Sequence, residues 1–288
     1  MVYENIIILY SPKCIEYESP DHPESPLRLS SSFEFLEKKG FRFKEPVPCQ
    51  EKDILTVHSQ TLVDSVKNRD FFDPDTPVLE NIYEYACLSA GASIEAAQLA
   101  LKGIRAFSLM RPPGHHATRN NLGGFCYFNN IAIAVTKVLD SLDKVAILDI
   151  DVHHGNGTQD IFLGNNKVLY ISLHQSPLYP GSGLSSEKNC LNFPLSAGTS
   201  EKEYLKVLEE ALNKINEFCP QLLAISAGFD TYKLDPLASL GLDLDSYRQI
   251  GQLISEIKVL SFCVLEGGYS SRLGECIYNF LTGWANKY

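Results

Sequence analysis

The chain has 288 residues, 44% of them hydrophobic, which is enough for a sizeable core and matches the composition of an ordinary soluble globular protein. Its 25 basic and 35 acidic residues give a net charge of −10, which argues against general nucleic-acid binding and for a neutral or basic partner. The first apolar run, Ile6 to Leu9, is too short for a signal peptide, and no later run is long enough to span a membrane; the expected location is the cytoplasm, with neither nucleic acid nor membrane as partner.

In chain order, apolar runs and helical periodicity predict a strand at Ile6–Tyr10, helices at Pro26–Lys39 and Asn81–Lys102, and a strand at Ala106–Met110. A helix at Asn129–Ser141 and strands at Lys144–Ile150 and Val168–Leu173 follow. Next come a helix at Ser200–Phe218, a strand at Leu222–Ala227, a helix at Asp245–Glu256 and a strand at Val259–Leu265. Ser200 and Glu203 form a capping-box pattern. The strands are apolar almost throughout, as strands buried on both faces must be. The alternation therefore predicts an α/β fold with a mainly parallel sheet and helices on both faces. No repeat, low-complexity tract or linker divides the chain, so one domain over 1–288 is expected. Eight cysteines are scattered singly with no CxxC pair, which fits buried thiols in a reducing compartment rather than a zinc finger or dithiol site.

Polar, Gly/Pro-rich segments follow five of the predicted strands: Arg111–His116, Asp149–Gly157, His174–Gly183, Gly228–Asp230 and Glu266–Tyr269. In open parallel sheets ligands bind outside the carboxyl ends of the strands, so these segments are expected to converge on one edge. On an extended segment Asp149, Asp151 and His153 project to one face, and two carboxylates with an imidazole are divalent-metal chemistry. Asp151 and His153 are read as two metal ligands, and a third should come from another strand end, where Asp230, after Ala227 and Gly228, is the best candidate. Any single Asp is more often a helix cap or a partner of a surface lysine; several at strand ends are not readily explained that way. The adjacent imidazoles His115 and His116 each have a partner available in the metal-binding segment, Asp149 or Asn156. A carboxylate raises imidazole basicity more than an amide does, so the pair could divide acid and base roles. Tyr269, after two glycines, is a candidate oxyanion donor. His22, His58, His154 and His174 are read as structural, with His154 pointing away from the metal ligands and His174 bracing the site.

The ordered motifs His22-Pro-Glu-Ser-Pro-Leu-Arg28, Arg111-Pro-Pro-Gly-His-His-Ala117, Gly123-Gly-Phe-Cys-Tyr-Phe-Asn-Asn130, Asp149-Ile-Asp-Val-His-His-Gly-Asn-Gly157, Tyr179-Pro-Gly-Ser-Gly183, Ser226-Ala-Gly-Phe-Asp230 and Glu266-Gly-Gly-Tyr269 resemble those of the zinc-dependent histone deacetylase family. That group includes acetylpolyamine amidohydrolases and acetoin-utilisation proteins, and the resemblance covers essentially the whole chain. It implies an arginase/deacetylase-like three-layer sandwich and hydrolysis of an amide-linked acyl group. Carried over position by position, Asp151, His153 and Asp230 hold one zinc. His115 and His116 are the acid/base pair, oriented by Asp149 and Asn156, and Tyr269 polarises the acyl carbonyl. Phe125 and Tyr179 are the tunnel aromatics, Gly124 lines the tunnel, and Asp75 sits at the rim. The family also implies potassium at Asp149, Asp151, His153, Ser172 and Leu173, and a second potassium at Phe162, Asn165 and Val168. Asn156 and Glu266-Gly-Gly favour the class II-like and bacterial branches.

An acylated lysine peptide or protein, or a small acylated amine, is the substrate the resemblance implies, and hydroxamates are the matching inhibitors. Polyamine-selective relatives in one branch carry Glu seven residues beyond the last zinc ligand, where this chain has Leu237. Others carry a long dimerising insertion for which the Phe71–Glu80 segment leaves no room. Both departures favour acyl-lysine. Two rival functions are weighed. A dinuclear manganese ureohydrolase needs bridging carboxylates at positions where this chain has Gly155 and Tyr232. A non-catalytic acyl-lysine or metabolite binder should have lost a ligand, a histidine or the tyrosine, and none is lost.

Overall fold

The apolar runs form the inner strands of an eight-stranded sheet in the computed structural model, which describes residues 5–285. Residues 1–4 and 286–288 of the expected domain lie outside the described residues. The strands are β1 (Ile6–Leu9), β2 (Arg42–Lys44), β3 (Arg105–Ser108), β4 (Val145–Asp149), β5 (Val168–Gln175), β6 (Cys190–Leu195), β7 (Leu222–Ala227) and β8 (Leu260–Leu265). Their order is β2-β1-β3-β8-β7-β4-β5-β6, and every pairing is parallel. Every residue of β4, β5 and β7 is buried, because helices cover both faces of the sheet centre.

The helices are α1 (Leu27–Lys38), α2 (Glu51–Ile54), α3 (Gln60–Asn68), α4 (Ile82–Leu101), α5 (Asn130–Val138), α6 (Asn156–Phe162), α7 (Glu201–Phe218), α8 (Leu244–Ser255) and α9 (Leu273–Trp284). Contacts link α2 to α6 into one layer and α1, α7, α8 and α9 into the other, which completes the α/β sandwich. The Ser200–Glu203 box caps α7 as the sequence predicts.

Two strands escaped the apolar-run criterion, and both are sheet edges. β2 alternates exposed and half-buried residues. β6 is only partly buried and holds Pro194, which an edge tolerates because one side of the strand needs no ladder partner. The second half of the chain also holds α9, which packs on α8 and α1 and lies beyond the last predicted element. Six cysteines are buried, Cys49 is half-buried and Cys219 is exposed; all eight are free thiols. Among the described residues no helix is long and apolar enough to cross a membrane.

Candidate active site

Parallel pairing brings the polar segments to one edge. Asp149 is level with Ser172 on β5 and Ser226 on β7, and Ser226 with Val264 on β8. The loops after β3, β4, β7 and β8 therefore leave the sheet side by side.

The strand geometry expected for Asp149, Asp151 and His153 needs correction. β4 ends at Asp149, and Asp151 and His153 lie in the bend that follows. Backbone amides, not a strand ladder, aim the ligands. Gly267 N–H donates to Asp151 Oδ2 (2.7 Å), Val152 N–H to Asp230 Oδ1 (2.8 Å) and His153 N–H to Asp151 Oδ1 (2.9 Å). His153 Nδ1 is then 3.1 Å from both Asp151 Oδ1 and Asp230 Oδ2. The facing donor atoms of the three residues lie within 4.8 Å of one another. Burial and the neighbouring Asp151 charge push the Asp230 carboxyl well up. Two carboxylates that repel each other and one imidazole, buried together, fit one divalent cation.

The tandem histidines sit beside this triad with their rings 4.0 Å apart. His115 Nδ1–H donates to Asp149 Oδ2 (3.1 Å), and His116 Nδ1–H donates to Asn156 Oδ1 (2.8 Å). The Tyr170 hydroxyl donates to the same Asp149 oxygen (3.1 Å). Burial alone would lower both imidazoles. For His115 the carboxylates of Asp151, Asp149 and Glu266 outweigh burial and push it up to about 10. For His116 burial is joined by the charges of His115 and His153, and its basicity falls well below the ordinary value. A cation on Asp151 would weaken the pull on His115 without removing that of Asp149.

A cavity of about 230 Å³ opens above these groups, lined among others by His115, His116, His153, Tyr269, Gly124 and Phe125, with Tyr179, Leu237 and Asp75 also on its wall. A β-carbon on Gly124, whose φ is +56°, would run into the His116 and Tyr179 rings, so glycine is what lets the wall approach the histidine. Phe125 also has a left-handed φ of +70°. Its amide donates to the Thr76 hydroxyl (3.0 Å), and its ring packs edge-on to Tyr269 at 5.7 Å. The sequence-predicted residues His115, His116, Tyr269, Gly124, Phe125, Tyr179, Leu237 and Asp75 thus meet around one cavity, and Asp149 and Asn156 stand behind the two histidines. Gly155 fits against Asp149 so closely that a β-carbon there would overlap the Asp149 carboxylate and the Tyr170 hydroxyl. No carboxylate side chain could stand at that position without moving both.

The expected potassium residues Asp149 and Ser172 are register partners, and Leu173 follows Ser172 on β5. Phe162, Asn165 and Val168 also come together. Val168 N–H donates to Asn165 O (3.1 Å), and the Asn189 amide donates to the carbonyls of Phe162 and Val168 (2.9 Å each). A cation there would share those carbonyls with Asn189.

The remaining histidines have main-chain or side-chain partners away from the triad. His22 Nε2–H donates to the Asp75 carbonyl (3.1 Å), and His58 Nδ1–H to the Thr118 carbonyl (2.9 Å). His154 bonds to Ser182 and Gln159, and His174 to Ser172 and Gly183.

Three further residues of the ordered motifs, unmarked by the sequence as functional, brace the site: Glu266, Arg28 and Glu24. Glu266 Oε2 accepts from the amides of Gly114 (2.8 Å) and His115 (3.1 Å), and Oε1 accepts from the Ser226 hydroxyl (3.0 Å), so this buried carboxyl braces the tandem-histidine loop. Arg28 donates to the carbonyls of Gly268 (2.7 Å) and Glu266 (2.6 Å), and its guanidinium lies 4.7 Å over the Tyr269 ring. Glu24 pairs with both Arg28 (2.9 Å) and Arg111 (2.8 Å). Burial opposes that charge, but the two guanidinium groups outweigh it and hold the Glu24 carboxyl below its usual range.

The chain is similar to known proteins in sequence and in fold. Residues 22–283 match the model of the histone deacetylase domain. The chain is 38% identical over 290 residues to a probable deacetylase of Archaeoglobus fulgidus, covering 91% of this chain and 81% of the relative. It is 37% identical over 227 residues to acetylpolyamine amidohydrolase 2 of Pseudomonas aeruginosa, covering 74% of this chain and 66% of that protein. Its fold superimposes on the crystal structure of acetylpolyamine aminohydrolase from Burkholderia pseudomallei with a TM-score of 0.92 at 27% identity, over 97% of this chain and 98% of the other.

Proposed function

The chain belongs to the histone deacetylase family, a family of amide hydrolases, and on that premise we propose that it is a zinc-dependent deacylase of N-acyl-lysine side chains or similar acylated amines. One observation carries the reading: His153 of the carboxylate–imidazole triad, the tandem histidines and Tyr269 share the wall of one cavity, with Asp151 and Asp230 gathered behind His153. Both ends of the chain supply strands to the same sheet, so the proposal takes the chain as one catalytic domain.

Asp151, His153 and Asp230 would hold the metal. Bound there, zinc would supply Lewis-acid polarisation of the acyl carbonyl and acidify a water. Tyr269 donates a hydrogen bond to the acyl oxygen, and that bond strengthens as the oxygen gains negative charge. His116 is the neutral base: its Nδ1–H is taken by the Asn156 carbonyl, which leaves Nε2 free to accept the proton of the attacking water. His115, kept cationic by Asp149, stabilises the developing negative charge. The C–N bond breaks, the acyl carbon keeps the new oxygen, and the amine departs with a proton returned by the histidine pair. Asp149 and Ser172, adjacent across β4 and β5, are proposed to contribute to a potassium site under His115, with Phe162, Asn165 and Val168 at a second.

The aromatic and apolar side chains of Phe125, Tyr179 and Leu237 on the cavity wall suit an aliphatic stem, and an apolar Leu237 at the rim favours acyl-lysine. A second reading, an acylated polyamine, is supported by the relatives named acetylpolyamine amidohydrolase. It is also supported by the charges of Asp73 and Asp75, both felt by Tyr179 at the mouth. The Gly155 packing favours one metal over a carboxylate-bridged pair. The test is a parallel panel of acetyl-lysine, longer acyl-lysine and acetylated polyamine substrates, with elemental analysis of the purified protein. Turnover of acyl-lysine above the polyamines, at one zinc per chain, is expected. No turnover of any acylated amine by metal-loaded protein would sink the reading.

A further inference from the structure

Asp235 belongs to none of the segments that carry the chemistry above, yet its buried carboxylate touches one of them and the rim residue Leu237. Oδ2 accepts from the amides of Tyr269 (2.7 Å) and Ser270 (3.2 Å). Oδ1 accepts from the amide of Leu237 (3.0 Å). One side chain thus joins the turn that presents the phenol to the residue on the cavity rim. Arg28 donates to two carbonyls of the same turn, those of Glu266 and Gly268. Gly268 within it has a φ of +116°, a region open to glycine, so the turn itself offers little stiffness. Its position must come from outside, through the carbonyls that Arg28 holds and the amides that Asp235 holds. A buried carboxylate is costly unless its oxygens are satisfied, and here main-chain amides satisfy both.

We propose that Asp235 is a positioning residue for Tyr269: its carboxylate fixes the turn, and hence the phenol, relative to the rim at Leu237. The proposal rests on the reading of Tyr269 as the donor to the acyl oxygen. A transition-state donor works only when held in place before the reaction, and a misplacement of about 1 Å can cost on the order of 100-fold in rate. Asn is the informative replacement. It keeps shape and volume but turns one acceptor into a donor, so either the Tyr269–Ser270 amides or the Leu237 amide must face an N–H.

The experiment is a double-mutant cycle on the metal-loaded full chain with an acetyl-lysine peptide, using excess enzyme for slow variants. Asp235→Asn is expected to lower kcat by about tenfold or more while KM changes by less than about threefold, with metal content unchanged. In a Tyr269→Phe background the same replacement should change the residual rate by less than about twofold, because the group being positioned is gone. Equal losses in both backgrounds, or a normal kcat in Asp235→Asn, would overturn the positioning role while leaving the tyrosine's role standing. A near-normal rate for Tyr269→Phe alone would instead overturn the reading beneath it, and the proposal with it. If the asparagine protein does not fold, Asp235→Glu, which keeps the charge but displaces it by a methylene, enters the same cycle with the same expectations.

Discussion

Protonation of His58 should destabilise the fold by an amount its surroundings define. The imidazole is 1% exposed. Its Nδ1–H donates to the Thr118 carbonyl (2.9 Å), and its Nε2 accepts from the Asn129 amide (2.8 Å). That pattern fixes one neutral tautomer, because a proton on Nε2 would face another N–H. Burial lowers its pKa from 6.5 to about 4, against partial compensation from the backbone carbonyls. A depressed pKa means that the folded state refuses a proton the unfolded state accepts. The stabilisation is therefore complete above about pH 6.5, is lost as pH falls toward 4, and is constant below. A shift from 6.5 to about 4 corresponds to roughly 3 kcal/mol in all, of which about 2 kcal/mol is gone at pH 5. The assay is urea unfolding at pH 7.5, 6.5, 5.5 and 5.0 for the wild type and His58→Gln, both in metal-loaded form. Other titrating groups contribute to both proteins, so the difference isolates His58. Stability of the wild type should fall more steeply than that of the variant, by about 2 kcal/mol between pH 7.5 and 5. Parallel curves would show that His58 takes its proton without penalty, and would refute the argument from its hydrogen bonds.

Three substitutions address the site directly. Tyr269→Phe should retain zinc, by elemental analysis, and lose on the order of 100-fold or more in kcat, as removal of an oxyanion donor does; a rate near wild type would reject the carbonyl-polarising role. Asp230→Ala should lose metal together with activity, since it removes one of three ligands, and full metal occupancy would reject that assignment. Gly155→Ala forces a methyl group into the Asp149 carboxylate and the Tyr170 hydroxyl. It should lower kcat by at least tenfold through a displaced His115 and destabilise the fold by about 1–3 kcal/mol; unchanged kinetics and unchanged stability would show that the contact relaxes freely.

What sequence could and could not reveal follows from how each residue acts. The strands β4, β5 and β7 announce themselves because burial on both faces demands an unbroken apolar run. The edges β2 and β6 carry no such demand and left no such signal. α6 begins at Asn156, inside the ligand-bearing segment, and its few residues are dominated by the polar motif rather than by a helical period. α9 contains Gly274 and Gly283, weak helix formers; a β-carbon at Gly283 would overlap the α8 backbone at Arg248, so packing selected what propensity disfavours. The same division holds in the site. Asp151, His153, Asp230, His115, His116 and Tyr269 present side-chain chemistry, and chemistry of that kind shows in residue type and spacing. Arg28, Glu266 and Asp235 instead hold main-chain groups of residues distant in sequence, as Arg28 does for Gly268. An amide or carbonyl has no residue identity, so no pattern of side chains marks its partner. Asp149 and Asn156, which place the histidines through their side chains, show in the sequence; residues that place the reacting groups through the main chain show only in three dimensions, and the coupling between Asp235 and Tyr269 is where that distinction becomes measurable as a rate.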